Sequence, residues 1–200
     1  AARADVVADL QKRGLWERLP NPVREALLRP ESRGDLPAAE NRLIGSNARS
    51  VAAMAQARPD ALHRDMPLVG DVGAAAQTLA HLAQTRPGLH IMGGETTVSL
   101  RGTGLGGRNQ ELALRLALAL DGRADWRFLS AGTDGRDGPT EAAGAVVDGE
   151  TCARIRAAGG DPAALLANND SHRALDLAGD LLITGGTGTN VADLQILSCA

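Results

Sequence analysis

The chain has 200 residues, with 21 Lys and Arg against 24 Asp and Glu, a net charge of −3, and 44% apolar residues. That composition supports a core of one large or two small domains and excludes a disordered chain. The near-neutral balance argues against a dedicated nucleic-acid surface, and two Trp, one Phe and no Tyr leave no stacking platform for single strands.

No apolar run is long enough to span a membrane. Cys152 and Cys199 read as reduced thiols of a cytoplasmic protein rather than a disulfide framework. Every basic residue except Lys12 is an arginine, so phosphate chemistry here falls to arginine or to backbone amides. The chain opens on Ala1, without Met and inside a helical pattern, as a fragment would.

In chain order, helices are expected over 5–13, from Asn21-Pro22 to Leu28, from Asn47 to about Ala57, and from Asp71 to Thr85. Residues 29–40, with Pro30, Gly34 and Pro37, read as a loop. After Pro87-Gly88 short apolar runs alternate with Gly- and Thr-rich loops. Strands are expected at 89–92, 96–100, 126–130, 180–184 and 194–197, and helices at 109–120, 151–158 and 171–178. The fold class is α/β: a helical N-terminal segment over 1–88, then a mixed-sheet α/β domain over 89–200 with glycine-rich loops at its strand ends.

Four such loops, at 93–97, 102–107, 132–140 and 184–190, are expected to converge at one edge of the sheet, where open α/β folds bind ligands. The second lies between a strand and a helix. Its glycines let backbone approach an anion, and Arg108 at the helix entrance adds a planar, bidentate donor for carboxylate or phosphate. Asn109 and Glu111 also have a purely local use, as a cap and a first-turn acid.

Gly102, Gly104 and Gly107 match the dinucleotide-binding spacing, which keeps an NAD(P)H-dependent reductase open. The acidic residue that spacing calls for about 20 positions on is missing. In the third loop Asp134 and Asp137, three apart between glycines, are candidates for one Mg²⁺ or for turn hydrogen bonds. Both are expected to be open to solvent or ligand, with at least one facing Arg108. The fourth loop offers hydroxyls and amides but no lysine. Asn168-Asn169-Asp170-Ser171 reads as a helix cap, and the four histidines show no metal-ligand spacing.

Gly93-Gly94-Glu95-Thr96-Thr97-Val98, Gly106-Gly107-Arg108-Asn109-Gln110-Glu111, Gly132-Thr133-Asp134-Gly135 with Asp137-Gly138-Pro139-Thr140, and Thr184-Gly185 with Thr187-Gly188-Thr189-Asn190-Val191 closely resemble, in that order, the MOFRL domain of class II glycerate kinases. Such proteins have often been labelled hydroxypyruvate reductases. Gly186 and Ala192 depart from the pattern, which usually has Pro and Asn there. Gly14-Leu15-Trp16 and Ile44-Gly45-Ser46-Asn47 look like the end of the family's N-terminal domain.

The resemblance implies transfer of the ATP γ-phosphoryl group to D-glycerate, at the 2-hydroxyl, with Mg²⁺. This chain would supply one wall of a site completed by a missing N-terminal half, with no nucleic-acid or membrane partner and with room for a homodimer. On that reading Arg108 and Asp134 are catalytic. Glu95, Thr96, Gly104, Gly106, Gly107, Asn109, Thr133, Thr187, Thr189 and Asn190 contact substrate or phosphate, and Asp137 and Asp193 hold the metal. The alternatives are an NAD(P)H-dependent hydroxypyruvate reductase and a non-catalytic, small-anion-binding fragment. Arg108 is expected to matter to substrate and little to folding.

Overall fold

Residues 3–30, 38–63 and 67–200 are described by the computed structural model. Of the loop expected over 29–40, residues 31–37 lie outside them. The chain divides into two units, 1–42 and 43–200.

In the first unit α1 (Arg3–Lys12), a 3-10 turn (Trp16–Arg18) and α2 (Asn21–Leu28) bury none of their residues. Arg24 pairs with Glu17 at 2.9 Å, and Arg3 donates to the carbonyl of Arg29 at 3.1 Å.

The second unit begins with α3 (Asn47–Ala57), capped by the Ser46 hydroxyl, which accepts from the Arg49 amide. Two short strands follow, β1 (Leu62–His63) and β2 (Leu68–Asp71). Asp71 then caps α4 (Val72–Thr85) by accepting from the amides of Gly73 and Ala74. Next come β3 (Gly88–Thr97), α5 (Arg108–Ala119), β4 (Trp126–Gly132) and β5 (Gly144–Asp148). Three short helices, α6 (Thr151–Ala157), α7 (Pro162–Ala167) and α8 (Ser171–Ala178), precede β6 (Leu181–Leu182) and β7 (Asp193–Cys199).

The strands form one mixed sheet. β1 and β2 both run parallel to one edge of β3; beyond β3 the order is β7, β4, β5, β6, all antiparallel to their neighbours. β7, last of these in chain order, therefore lies between β3 and β4. One face of the sheet carries the core, where Met92, Phe128 and Leu197 meet Leu79 of α4 and Leu112 and Leu116 of α5. The opposite side of α5 is also covered, because Leu114 packs with Ile155 of α6 and Ala174 of α8.

Several expectations change here. The glycine-rich stretch 93–97 is not a loop but the second half of one long strand, β3. Gly94, at φ +151°, permits it: a Cβ there would strike the backbone of Leu68 in the adjoining β2. Gly93 is needed for a different reason, since a Cβ would collide with Asn47 at the start of α3. β5 and α7, absent from the sequence reading, also form. The junction expected at Pro87-Gly88 falls inside the second unit, where α4 is built into the same core as α5 and β7.

Candidate functional site

The sheet register brings three strand ends together, since Gly94 of β3 and Gly132 of β4 both pair with Asp193, the first residue of β7. Asp193 is fully buried, and its carboxylate is taken by Arg108, the first residue of α5. Arg108 Nε donates to Oδ2 at 2.6 Å and Nη2 to Oδ1 at 2.9 Å, a parallel, bidentate pair. The same carboxylate holds the guanidinium more firmly charged than usual. The third nitrogen, Nη1, meets Glu95 Oε1 at 3.0 Å. The pairs differ in burial: the Asp193 side chain is 1% exposed and that of Glu95 58%.

Asp137 is not open to solvent, contrary to expectation. It is 2% exposed and faces the start of α5, where Oδ1 accepts from the amide and Nδ2 of Asn109 and Oδ2 from the amide and Nε2 of Gln110. It caps the helix from a distant loop. Burial pushes its carboxyl up, against the pull of those donors. Asn109 is equally internal; besides Asp137 it takes the Ser130 hydroxyl at 2.6 Å. Gln110 Oε1 accepts from His172 Nδ1 at 2.9 Å, which ties the start of α8 to the start of α5.

These bonds bear on the expected metal ligands. All four lone-pair directions of Asp137 are occupied, and both oxygens of Asp193 are held by Arg108. Mg²⁺ demands free, hard oxygen ligands; Asp137 offers none, and the buried oxygens of Asp193 each already neutralise Arg108. Among the described residues no group of three or more His, Cys, Asp and Glu is placed to hold a metal.

The glycines of the second loop face protein. A Cβ on Gly102 or Gly104 would enter the backbone of Asn168 or Asp170, and one on Gly106 would meet the Ser171 hydroxyl. The amides of Arg101 and Gly102 donate to Asn169 Oδ1, that of Thr103 to Asn168 Oδ1, that of Gly104 to the Asn168 carbonyl, and that of Leu105 to Asp170 Oδ1. The Asn-Asn-Asp run, expected as a plain helix cap, is the clasp that shapes this loop. Asn169 supports it at φ +53°. No acceptor among the described residues takes the amides of Gly106, Gly107 and Arg108.

A cleft of about 790 Å³ opens beside those three amides, and Glu95, Thr96, Gly104, Gly106, Gly107 and Arg108 all line it. Sequence reading did not find the rest of the wall: Glu111, Asn169, Gly138-Pro139 and an apolar rim that includes Val69 and Leu100, 60% and 81% exposed. Thr133, Asp134, Thr187, Thr189 and Asn190 are not on this wall. They bind one another, with the Thr187 hydroxyl on the Thr133 carbonyl, the Thr187 amide on the Asp134 carbonyl at 3.3 Å, and Asn190 Nδ2 on Asp134 Oδ2 at 3.3 Å. The third and fourth loops thus latch to each other, apart from the cleft.

The fold and this wall define an α/β module with an anchored arginine at a helix entrance. The MOFRL family model matches residues 88–193, and the chain belongs to that family. It is 58% identical to the D-glycerate 2-kinase of Thermotoga maritima over 56% of this chain and 27% of that protein. It is 37% identical to the glycerate kinase of Macaca fascicularis over 96% of this chain and 64% of that protein. The crystal structure of the glycerate kinase from Thermotoga maritima superposes with a TM-score of 0.83 at 38% identity, covering all of this chain and 51% of that one. The chain therefore spans from about a quarter to two thirds of the length of these relatives. Among the described residues, no helix is long and apolar enough to cross a membrane.

Proposed function

We propose that the protein carrying this chain is a glycerate kinase that transfers the γ-phosphoryl group of ATP to the 2-hydroxyl of D-glycerate, with this chain forming one wall of the site. The observation that carries the reading is the anchored guanidinium: Asp193 fixes two of its nitrogens, and Nη1, paired with the exposed Glu95, stands on the cleft wall with Gly106 and Gly107. A planar cation beside unpaired amides suits a carboxylate or a phosphoryl oxygen, and kinases work mainly by such positioning and charge stabilisation. The names of the relatives point the same way. Magnesium enters this reading with the nucleotide, since Asp137 is fully engaged by its four donors and Asp193 by Arg108. Two free, buried cysteines fit a cytoplasmic enzyme.

The reductase alternative loses its support, because the space over the glycines that match a dinucleotide fingerprint, Gly102, Gly104 and Gly107, is filled by Asn168, Asp170 and Asp137. Incubating the full-length protein with D-glycerate and ATP, and separately with hydroxypyruvate and NADH, tests both. ADP and 2-phosphoglycerate from the first mixture support the kinase. NADH consumption in the second, with no phosphorylated product in the first, sinks it.

A further inference from the structure

The acids around the cleft differ in what their oxygens have left to give. Asp137 receives four N–H donors and Asp193 two, both out of contact with solvent. Glu111, 2% exposed, gives Oε1 to Arg115 at 2.8 Å and Oε2 to Asn169 Nδ2 at 3.0 Å. Glu95 is different. Its Oε1 rests on Arg108 Nη1, no donor among the described residues reaches Oε2, and the side chain stands at the cleft.

Its place is also fixed from behind, because the arginine that holds it is locked to a buried carboxylate on the central strand. A carboxylate so placed suits a hydroxyl and repels a phosphate. It belongs opposite the group that is to be phosphorylated.

We propose that Glu95 is the proton acceptor for the substrate hydroxyl, an inference that rests on the kinase reading above. The hydroxyl oxygen attacks the terminal phosphorus of a nucleoside triphosphate. The new P–O bond forms as the bond to the bridging oxygen breaks, and the nucleoside diphosphate leaves with that electron pair. The hydroxyl proton passes to Glu95 Oε2 and from there to solvent. A positioned base of this kind is worth about 10²-fold or more in rate.

The test compares Glu95→Gln and Glu95→Ala with the wild type in the full-length protein, with ATP and D-glycerate. Glutamine keeps the size of Glu95 and one oxygen for Arg108 Nη1 but cannot accept the proton, so kcat should fall about 10²-fold while KM stays within about threefold. A kcat within about threefold of wild type, or a loss confined to KM, overturns the proposal. If Glu95→Gln melts early, Glu95→Ala with added formate decides: recovered turnover supports the role, and no recovery overturns it. A wild-type protein that forms no phosphoglycerate is a separate outcome, which defeats the kinase reading itself.

Discussion

Arg108 was expected to be dispensable for folding, as a cation at a loop exit contributes little. Its partner changes that. Removing it leaves the carboxylate of Asp193 buried without a counter-charge, and breaking a buried pair costs about 3–5 kcal/mol. The Arg108 side chain keeps 35% of its surface in solvent, so the cost of Arg108→Ala should be nearer 2 kcal/mol. Urea unfolding should show that loss, and phosphorylation of glycerate should fall by orders of magnitude. Arg108→Lys should recover only part of either, as an ammonium cannot make both bonds.

The arginine was legible in the sequence because a basic residue at the junction of glycines and a helix has a local meaning. Asp193, 85 positions away, has none until the strand register is known. Cys152 makes a second residue-scale case. Burial raises its thiol from 9.0 to about 11. The folded chain then keeps a proton that the unfolded chain releases between pH 9 and pH 11, and stability falls as pH rises through that window, by up to about 2 kcal/mol. Urea midpoints measured below pH 9 and near pH 11 should show this loss in the wild type and not in Cys152→Ala.

Elements show where sequence periodicity fails. The expected helices over 109–120, 151–158 and 171–178 match α5, α6 and α8 closely, because each has an apolar pattern bounded by polar or glycine residues. The expected strands at 89–92 and 96–100 came from treating Gly93-Gly94 as a break. The close approach of α3 and β2 instead requires glycine inside a strand. The start of α5 has no capping side chain of its own at Gly107, and Asp137 supplies the acceptors from another loop. Asp137→Ala orphans three donors, Asn109 Nδ2 and the amides of Asn109 and Gln110 in the first turn of the helix, while Gln110 Nε2 keeps Thr140. It should cost about 3 kcal/mol, visible as a lower melting temperature. An effect below about 0.5 kcal/mol would show that water replaces the carboxylate there.

On the scale of the molecule, the boundary at 42 and 43 has a direct check. α4 contributes Val72, Leu79 and Leu82 to the same core as β7, so a chain of residues 89–200 would lose that cover, whereas residues 43–200 keep it. The longer piece should unfold cooperatively in urea. The shorter should show no single transition.

The sheet order also sets a timetable for synthesis. β3 and β4 are made early, yet neither touches the other, and the strand that joins them leaves the ribosome only after β6. Until then both present bare edges, and the pairings that close the sheet are all distant in sequence. Arg108 waits equally long for its counter-charge. A nascent chain interrupted before residue 193 thus lacks the middle of its sheet and the anchor of its cleft together. Such a product should be recognised and degraded as unfolded, rather than persisting as a folded but inactive protein.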